Sequence, residues 1–143
     1  MKVIFGSDEK TSLTNFISKW LKDAGHNVEE VGHLTKEEKK WKWVDIGKEV
    51  GSKVAKGEAD FGVVCCWSGT GVCMAANRFR GAMAALCWDS ETAKLARKWD
   101  NANILCLSLR FTSETIAKEI LEVWLSTKFD EEDLNEAHKL DKL

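Results

Sequence analysis

The chain has 143 residues, 44% apolar and 31% charged, ordinary composition for one soluble globular domain with a core of its own. A formal net charge of -2 gives no field that draws it to nucleic acid or to an anionic membrane. No apolar run approaches the roughly 20 residues of a membrane span, and Val3-Ile4-Phe5 is too short a run to be a signal peptide.

Residues 2–5 are a short apolar strand ending at Gly6-Ser7-Asp8. Residues 12–24 carry Leu13, Phe16, Ile17, Trp20 and Leu21 at helical spacing, and Gly25 suits the C-terminal cap. A second strand covers 27–31. Residues 32–42 form a polar loop whose Lys36, Lys39, Lys40 and Lys42 read as a solvated basic run. Residues 43–55 place Ile46, Val50 and Val54 on one helical face. Residues 61–66 are apolar apart from Gly62, as a strand covered on both faces would be. A third helix is expected over 70–79 and a fourth strand over 82–87. Asp89 or Ser90 can cap a helix running to Lys98. A fifth strand spans 104–107. Thr112 or Ser113 caps a helix to about Ser126, and the charged tail 130–143 reads as helical.

Strand and helix alternate five times, which predicts an α/β fold: a parallel sheet with helices on both faces, in one domain over 1–143. Ligands in such sheets bind at the carboxyl ends of the strands. That edge gathers Gly6 to Glu9, Cys66 to Gly71, Trp88-Asp89 and Ser108 to Arg110.

The chemistry concentrates in residues 61–77, where a buried strand runs into a glycine-punctuated turn that opens a helix. Free N–H groups at such a turn attract phosphate or a developing oxyanion, and the same field favours thiolate over thiol. Side chains alternate along a strand, so Cys65 and Cys66 face opposite ways, and only Cys66 stands at the strand end. The other cysteines read as packing residues. Five cysteines without Cys-x-x-Cys spacing, and scattered His26, His33 and His138, predict free thiols, a reducing cytoplasm and no metal. Gly69-Thr70-Gly71 departs from the dinucleotide fingerprint, because the third glycine position is Met74 and the motif follows the third strand. No Gly-Lys-Ser/Thr follows, which excludes a P-loop. Asp8 and Glu9 suit either a helix cap or hydroxyl recognition with proton transfer. Trp43, Trp67, Trp88 and Trp99 suit either packing or the walls of a sugar pocket. Arg78 and Arg80 read as surface arginines.

Ordered blocks give the chain a resemblance. Gly57-Glu58-Ala59-Asp60, residues 66–77, Ala84-Ala85-Leu86-Cys87-Trp88-Asp89, Asn101-Ala102-Asn103-Ile104-Leu105 and Leu125-Ser126-Thr127-Lys128-Phe129 carry it. Through these the chain resembles the ribose-5-phosphate isomerase B and galactose-6-phosphate isomerase family of sugar-phosphate isomerases, from Gly6 to about Phe129. The resemblance implies a five-stranded, Rossmann-like three-layer sandwich and an aldose–ketose isomerase without metal or cofactor. It also implies a homodimer, or dimer of dimers, with sites at the subunit interface. Cys66 matches the base that forms the enediolate, and Ser68 matches a threonine that helps move protons. Gly69, Thr70 and Gly71 match the anion hole, Asp8 a hydroxyl ligand, and Arg110 a phosphate ligand.

Departures are marked. Val72 stands where other members carry a glutamate base, Glu9 and Trp99 where histidines are usual, the latter the ring-opening one. Asp100 replaces an asparagine, Trp67 a glycine and Trp43 a tyrosine. The C-terminal phosphate-binding arginines fall near Asp133 and Ala137, where acid would repel an anion. The expected function is a sugar-phosphate aldose–ketose isomerase acting through Cys66 and Ser68. Asp8, Glu9, Trp67, Gly69, Thr70, Gly71, Trp99, Asp100 and Arg110 are the expected substrate contacts. The alternatives are a non-catalytic sugar- or nucleotide-binding module, or an isomerase of an unphosphorylated sugar.

Overall fold

The computed structural model describes residues 1–37 and 40–143. Lys39 of the expected basic run therefore lies outside the described residues, while Lys36, Lys40 and Lys42 are exposed. The strands are β1 (Lys2–Ser7), β2 (Asn27–Gly32), β3 (Phe61–Cys66), β4 (Ala84–Leu86) and β5 (Ile104–Ser108). The helices are α1 (Ser12–Asp23), α2 (Trp43–Ala55), α3 (Thr70–Ala76), α4 (Ser90–Asp100), α5 (Glu114–Ser126) and α6 (Leu134–Leu140). All strand pairs are parallel, in the order β2-β1-β3-β5-β4. The chain leaves β1 toward one edge and returns through β3 toward the other. The carboxyl ends of β1 and β3 therefore flank the switch point, where a crevice opens in folds of this kind.

Alternation along the strands divides the core. Leu13, Ile17 and Leu21 of α1, Ala93 and Ala96 of α4, and Ile120, Leu121 and Trp124 of α5 pack on Val3, Phe5, Val63, Cys65 and Leu105. On the other face Ile46 and Val50 of α2, and Val72 and Ala76 of α3, pack on Ile4, Val64, Cys66 and Ile104. Cys65 and Cys66 thus point into different layers, as a two-residue period requires. All five cysteines are free thiols. Among the described residues, no helix is long and apolar enough to cross a membrane.

Strands β1, β2 and β5 run on past the expected ends, to Ser7, Gly32 and Ser108, and three further elements, α3, β4 and α4, differ from the sequence-based expectation for local reasons. Helix α3 ends at Ala76, not at Phe79, because the Asn77 amide turns to the edge strand. Its Nδ2 donates to the Ala84 carbonyl at 2.8 Å, and its Oδ1 accepts the Ala84 N–H at 2.7 Å. Strand β4 keeps only three residues because the Met83 N–H is taken by Asn103 Oδ1 at 2.8 Å. Helix α4 runs past Lys98 to Asp100 and stops at Asn101, which adopts φ 51 and closes the helix as a left-handed cap. Its N-cap is Asp89, whose Oδ1 accepts the Thr92 N–H at 2.7 Å, and the cap of α5 is Ser113. The tail folds as a short 3-10 turn, Glu131–Asp133, followed by α6. It is tied down where the Asp130 N–H donates to the Lys98 carbonyl at 2.8 Å.

Candidate active site

Register sets Ser7 opposite Cys65, so the chain leaves β1 at Asp8 beside the end of β3 at Cys66. Three bonds from the end of β5 hold the turn that follows Cys66. The Leu109 N–H donates to the Cys66 carbonyl at 3.0 Å, and the Arg110 N–H to the Trp67 carbonyl at 3.1 Å. The Ser108 hydroxyl also donates to the Trp67 carbonyl, at 2.8 Å. With its carbonyl held inward, Trp67 is left 61% exposed over the cleft.

Gly69 is buried with φ +76 and is the cap from which α3 starts. A Cβ there would lie 2.7 Å from Leu86 Cδ1 and 2.9 Å from the Leu107 carbonyl carbon. Both the conformation and the space demand glycine. Gly71 is required for another reason: a Cβ would stand 2.8 Å from the indole of Trp43, which lies on the first turn of α3. The Ser68 and Thr70 hydroxyls sit 2.7 Å apart, and Ser68 Oγ accepts the Thr70 N–H at 3.4 Å.

These pieces enclose a cavity of about 360 Å³ lined by Asp8, Trp43, Cys66, Trp67, Ser68, Thr70, Gly71 and Met74. Cys66 is only 5% exposed, yet it borders the cavity. Among the described lining residues, only Asp8 and Cys66 carry titratable side chains. Asp8 Oδ1 is buried with no hydrogen-bond partner among the described residues. Burial first, then the Glu9 carboxylate, push the Asp8 carboxyl above its ordinary value, against weaker pulls from its own N–H and from His33. Burial pushes the neighbouring Cys65 thiol far up, which suits an inert packing residue. Among the described residues no group of three His, Cys, Asp or Glu is placed to hold a metal.

The raised Asp8 pKa has a measurable consequence. The folded state holds this proton more tightly than the unfolded chain, so stability is lost as pH rises through the carboxylate range. Asp8→Asn is expected to raise the melting temperature at pH 7. The gain should vanish in acid, where Asp8 is protonated in both states. An unchanged or lower melting temperature at pH 7 would count against a strained carboxyl.

The expected site residues divide by position. Asp8, Cys66, Trp67, Ser68, Thr70 and Gly71 meet at the cavity, and Gly69 lies buried beneath its turn. Glu9 and Arg110 are exposed and are not among the lining residues. Trp99 and Asp100 end α4 at the opposite, amino-terminal edge of the sheet, away from the cavity of their own chain. Asp100 borders a second cavity there, of about 600 Å³, with Arg78, Arg80, Leu140 and Leu143. Burial and the nearby Asp133 push the Asp100 carboxyl up. Met74 was not foreseen as a lining residue. The signal was present, since it follows Thr70 by one helical turn and shares its face.

Comparison with known proteins adds to this geometry. The family model described as ribose/galactose isomerase matches residues 3–143. The chain belongs to the ribose/galactose isomerase family. A ribose 5-phosphate isomerase from Thermotoga maritima superposes with a TM-score of 0.89 at 35% identity, over 99% of this chain and 98% of that one. The ribose-5-phosphate isomerase B of Mycoplasma genitalium, solved with bound ribulose-5-phosphate, gives a TM-score of 0.89 at 33% identity, over 99% and 94%. In sequence, the galactose-6-phosphate isomerase subunit LacB of Clostridium acetobutylicum is 37% identical over 113 residues, 79% of this chain and 64% of that protein. The single α/β domain with five parallel strands agrees with the solved isomerases of this family.

Proposed function

We propose that the protein interconverts an aldose phosphate and its ketose through an enediolate, with Cys66 as the carbon base. It is a sugar-phosphate isomerase of the ribose-5-phosphate isomerase B type. The observation that carries the reading is the placement of Cys66. A thiol at the switch point borders an open cavity beside a turn whose N–H groups begin a helix. The Cys66 thiolate removes the proton from the carbon next to the carbonyl. The electron pair moves into the new carbon–carbon double bond, and the carbonyl oxygen becomes the enediolate oxygen. The N–H groups at the start of α3 have no partner within the helix and can steady that charge. Return of the proton to the neighbouring carbon completes the exchange. Ser68 and Thr70, whose hydroxyls touch, provide a relay for the proton between the two oxygens. Trp67 supplies an aromatic wall, and Asp8 a hydroxyl contact, with Glu9 and Arg110 at the rim. Ribose 5-phosphate in deuterated water tests this: deuterium should enter at the carbon next to the carbonyl, and no incorporation at any enzyme concentration overturns the reading.

The working form is a symmetric dimer in this proposal, alone or as half of a dimer of dimers. Trp67, Met74 and Trp43 are exposed around the cavity, which is an unusual share of large apolar side chains for a free surface. In this dimer Trp99 and Asp100, both exposed and remote from the cavity of their own chain, complete the Cys66 cavity of the other copy, the interface site that the family resemblance implies. Residues 1–143 act as one unit, and the tail that packs along α4 moves with it. Five free thiols suit the cytoplasm. Mixing Cys66→Ala chains with Asp100→Ala chains, each impaired alone, should regain up to about a quarter of the activity, because about half of the dimers are mixed and each mixed dimer keeps one intact site of two. Sedimentation as a monomer under assay conditions would sink the shared site.

A further inference from the structure

Five-carbon aldose phosphates exist mainly as closed rings, and an enediolate forms only from the open chain. Some group must therefore deliver a proton to the ring oxygen before the carbon base can act. No histidine lines the Cys66 cavity: His33, at the end of β2, is exposed and its Nε2 lies 3.1 Å from the Trp41 carbonyl oxygen, while His26 and His138 lie elsewhere in the fold. Among the described residues, Asp8 is the one lining carboxyl.

We infer that Asp8 is the acid that opens the sugar ring, leaving Cys66 free for the carbon-bound proton. The inference rests on the isomerase reading above and adds a step to it. Its basis is geometric. Asp8 follows β1 directly, borders the cavity together with Cys66, and has one oxygen sealed from solvent without a partner. A buried carboxylate oxygen with no donor is costly when charged and much less so when the group is neutral. Among the described residues, the charged or titratable groups around it are Glu9 on its own loop, His33 from the end of β2, and Cys65 and Cys66 from β3. Raised by burial and by Glu9, the carboxyl is kept nearer the neutral form an acid catalyst needs.

In the step itself, the Asp8 proton passes to the ring oxygen as the bond from that oxygen to the anomeric carbon breaks. The anomeric O–H proton leaves to solvent, and its electron pair becomes the second bond of the new carbonyl. Asp8 recovers a proton from solvent, so charge and atoms balance with no oxidant.

The test compares two substrates of the full-length enzyme. Ribose 5-phosphate closes to a furanose through its fourth oxygen. Erythrose 4-phosphate cannot, because that oxygen carries the phosphate. Asp8→Asn should lower kcat on ribose 5-phosphate about 100-fold more than on erythrose 4-phosphate, the scale of one lost general acid. Asp8→Glu should restore part of the difference. Equal losses on both sugars would make Asp8 a binding group only and overturn the proposal. A ring-selective loss at Asp100→Asn, and not at Asp8→Asn, would reassign the step and overturn it equally. Should wild-type protein turn over neither sugar, the isomerase reading falls and this step falls with it. As a second readout, Cys66→Ala protein should still speed exchange between the two anomers of ribose 5-phosphate, seen by exchange NMR, and Cys66→Ala/Asp8→Asn should not. Equal exchange in the two proteins counts against Asp8.

Discussion

Cys66→Ala is expected to reduce kcat by about 10⁴-fold, the upper range for loss of a general base, with the fold intact. Cys66 ends β3 and packs beside Val72 and Ile46, so removing one sulfur costs about 1 kcal/mol in that layer. Stability and activity should therefore separate cleanly. Cys66→Ser is the sharper variant, because it keeps the shape and offers a hydroxyl too weakly acidic to be the base. Its kcat should fall nearly as far while KM changes little. Steady-state kinetics with thermal melts decides the matter. Retention of a tenth of wild-type kcat in either variant would remove Cys66 from the chemistry. Cys65→Ala supplies the contrast: its side chain lies in the other layer, so any loss should follow stability.

Gly69→Ala should be the more damaging of the two glycine-to-alanine changes in the turn that follows Cys66. The position combines a left-handed backbone with contacts below 3 Å to Leu86 and to the backbone of β5. Strain from the positive φ and overpacking together cost about 2–4 kcal/mol. The turn can relieve the clash only by moving away from β5, which pulls on the bonds that hold Trp67 and the start of α3. A shift of about 1 Å in such a turn costs on the order of 100-fold in kcat. Gly57→Ala separates conformation from contact, since Gly57 has φ +73 with nothing within 4 Å of an added Cβ. It should cost only about 1 kcal/mol and leave kcat unchanged. Denaturant midpoints and kcat for the pair test this. Equal destabilisation at both glycines would mean that the Leu86 and Leu107 contacts carry no weight.

Much of the fold was legible because periodicity reports burial. The continuous apolar run 61–66 and the helical spacing of Ile46, Val50 and Val54 gave β3 and α2 with the bounds that the structure has. Boundaries failed where side chains compete for backbone groups. Asn77 and Asn103 shortened α3 and β4 through bonds to residues 7 and 20 positions away, and nothing in the local pattern announces such partners. The site divides along the same line. Cys66, Ser68, Gly69, Thr70 and Gly71 sit within one short stretch, so the strand–turn–helix sequence by itself determined their grouping and the need for glycine. Joining that stretch to Trp43, and fixing how near Asp8 stands to Cys66, depended on how α2 crosses α3 and on the β1–β3 register. These are contacts between segments far apart in the chain, and only the tertiary structure decided them. It alone also placed Trp99 and Asp100 at the amino-terminal edge. A parallel sheet returns every helix to the edge opposite the strand ends, so residues at the close of α4 cannot reach the cavity of their own chain.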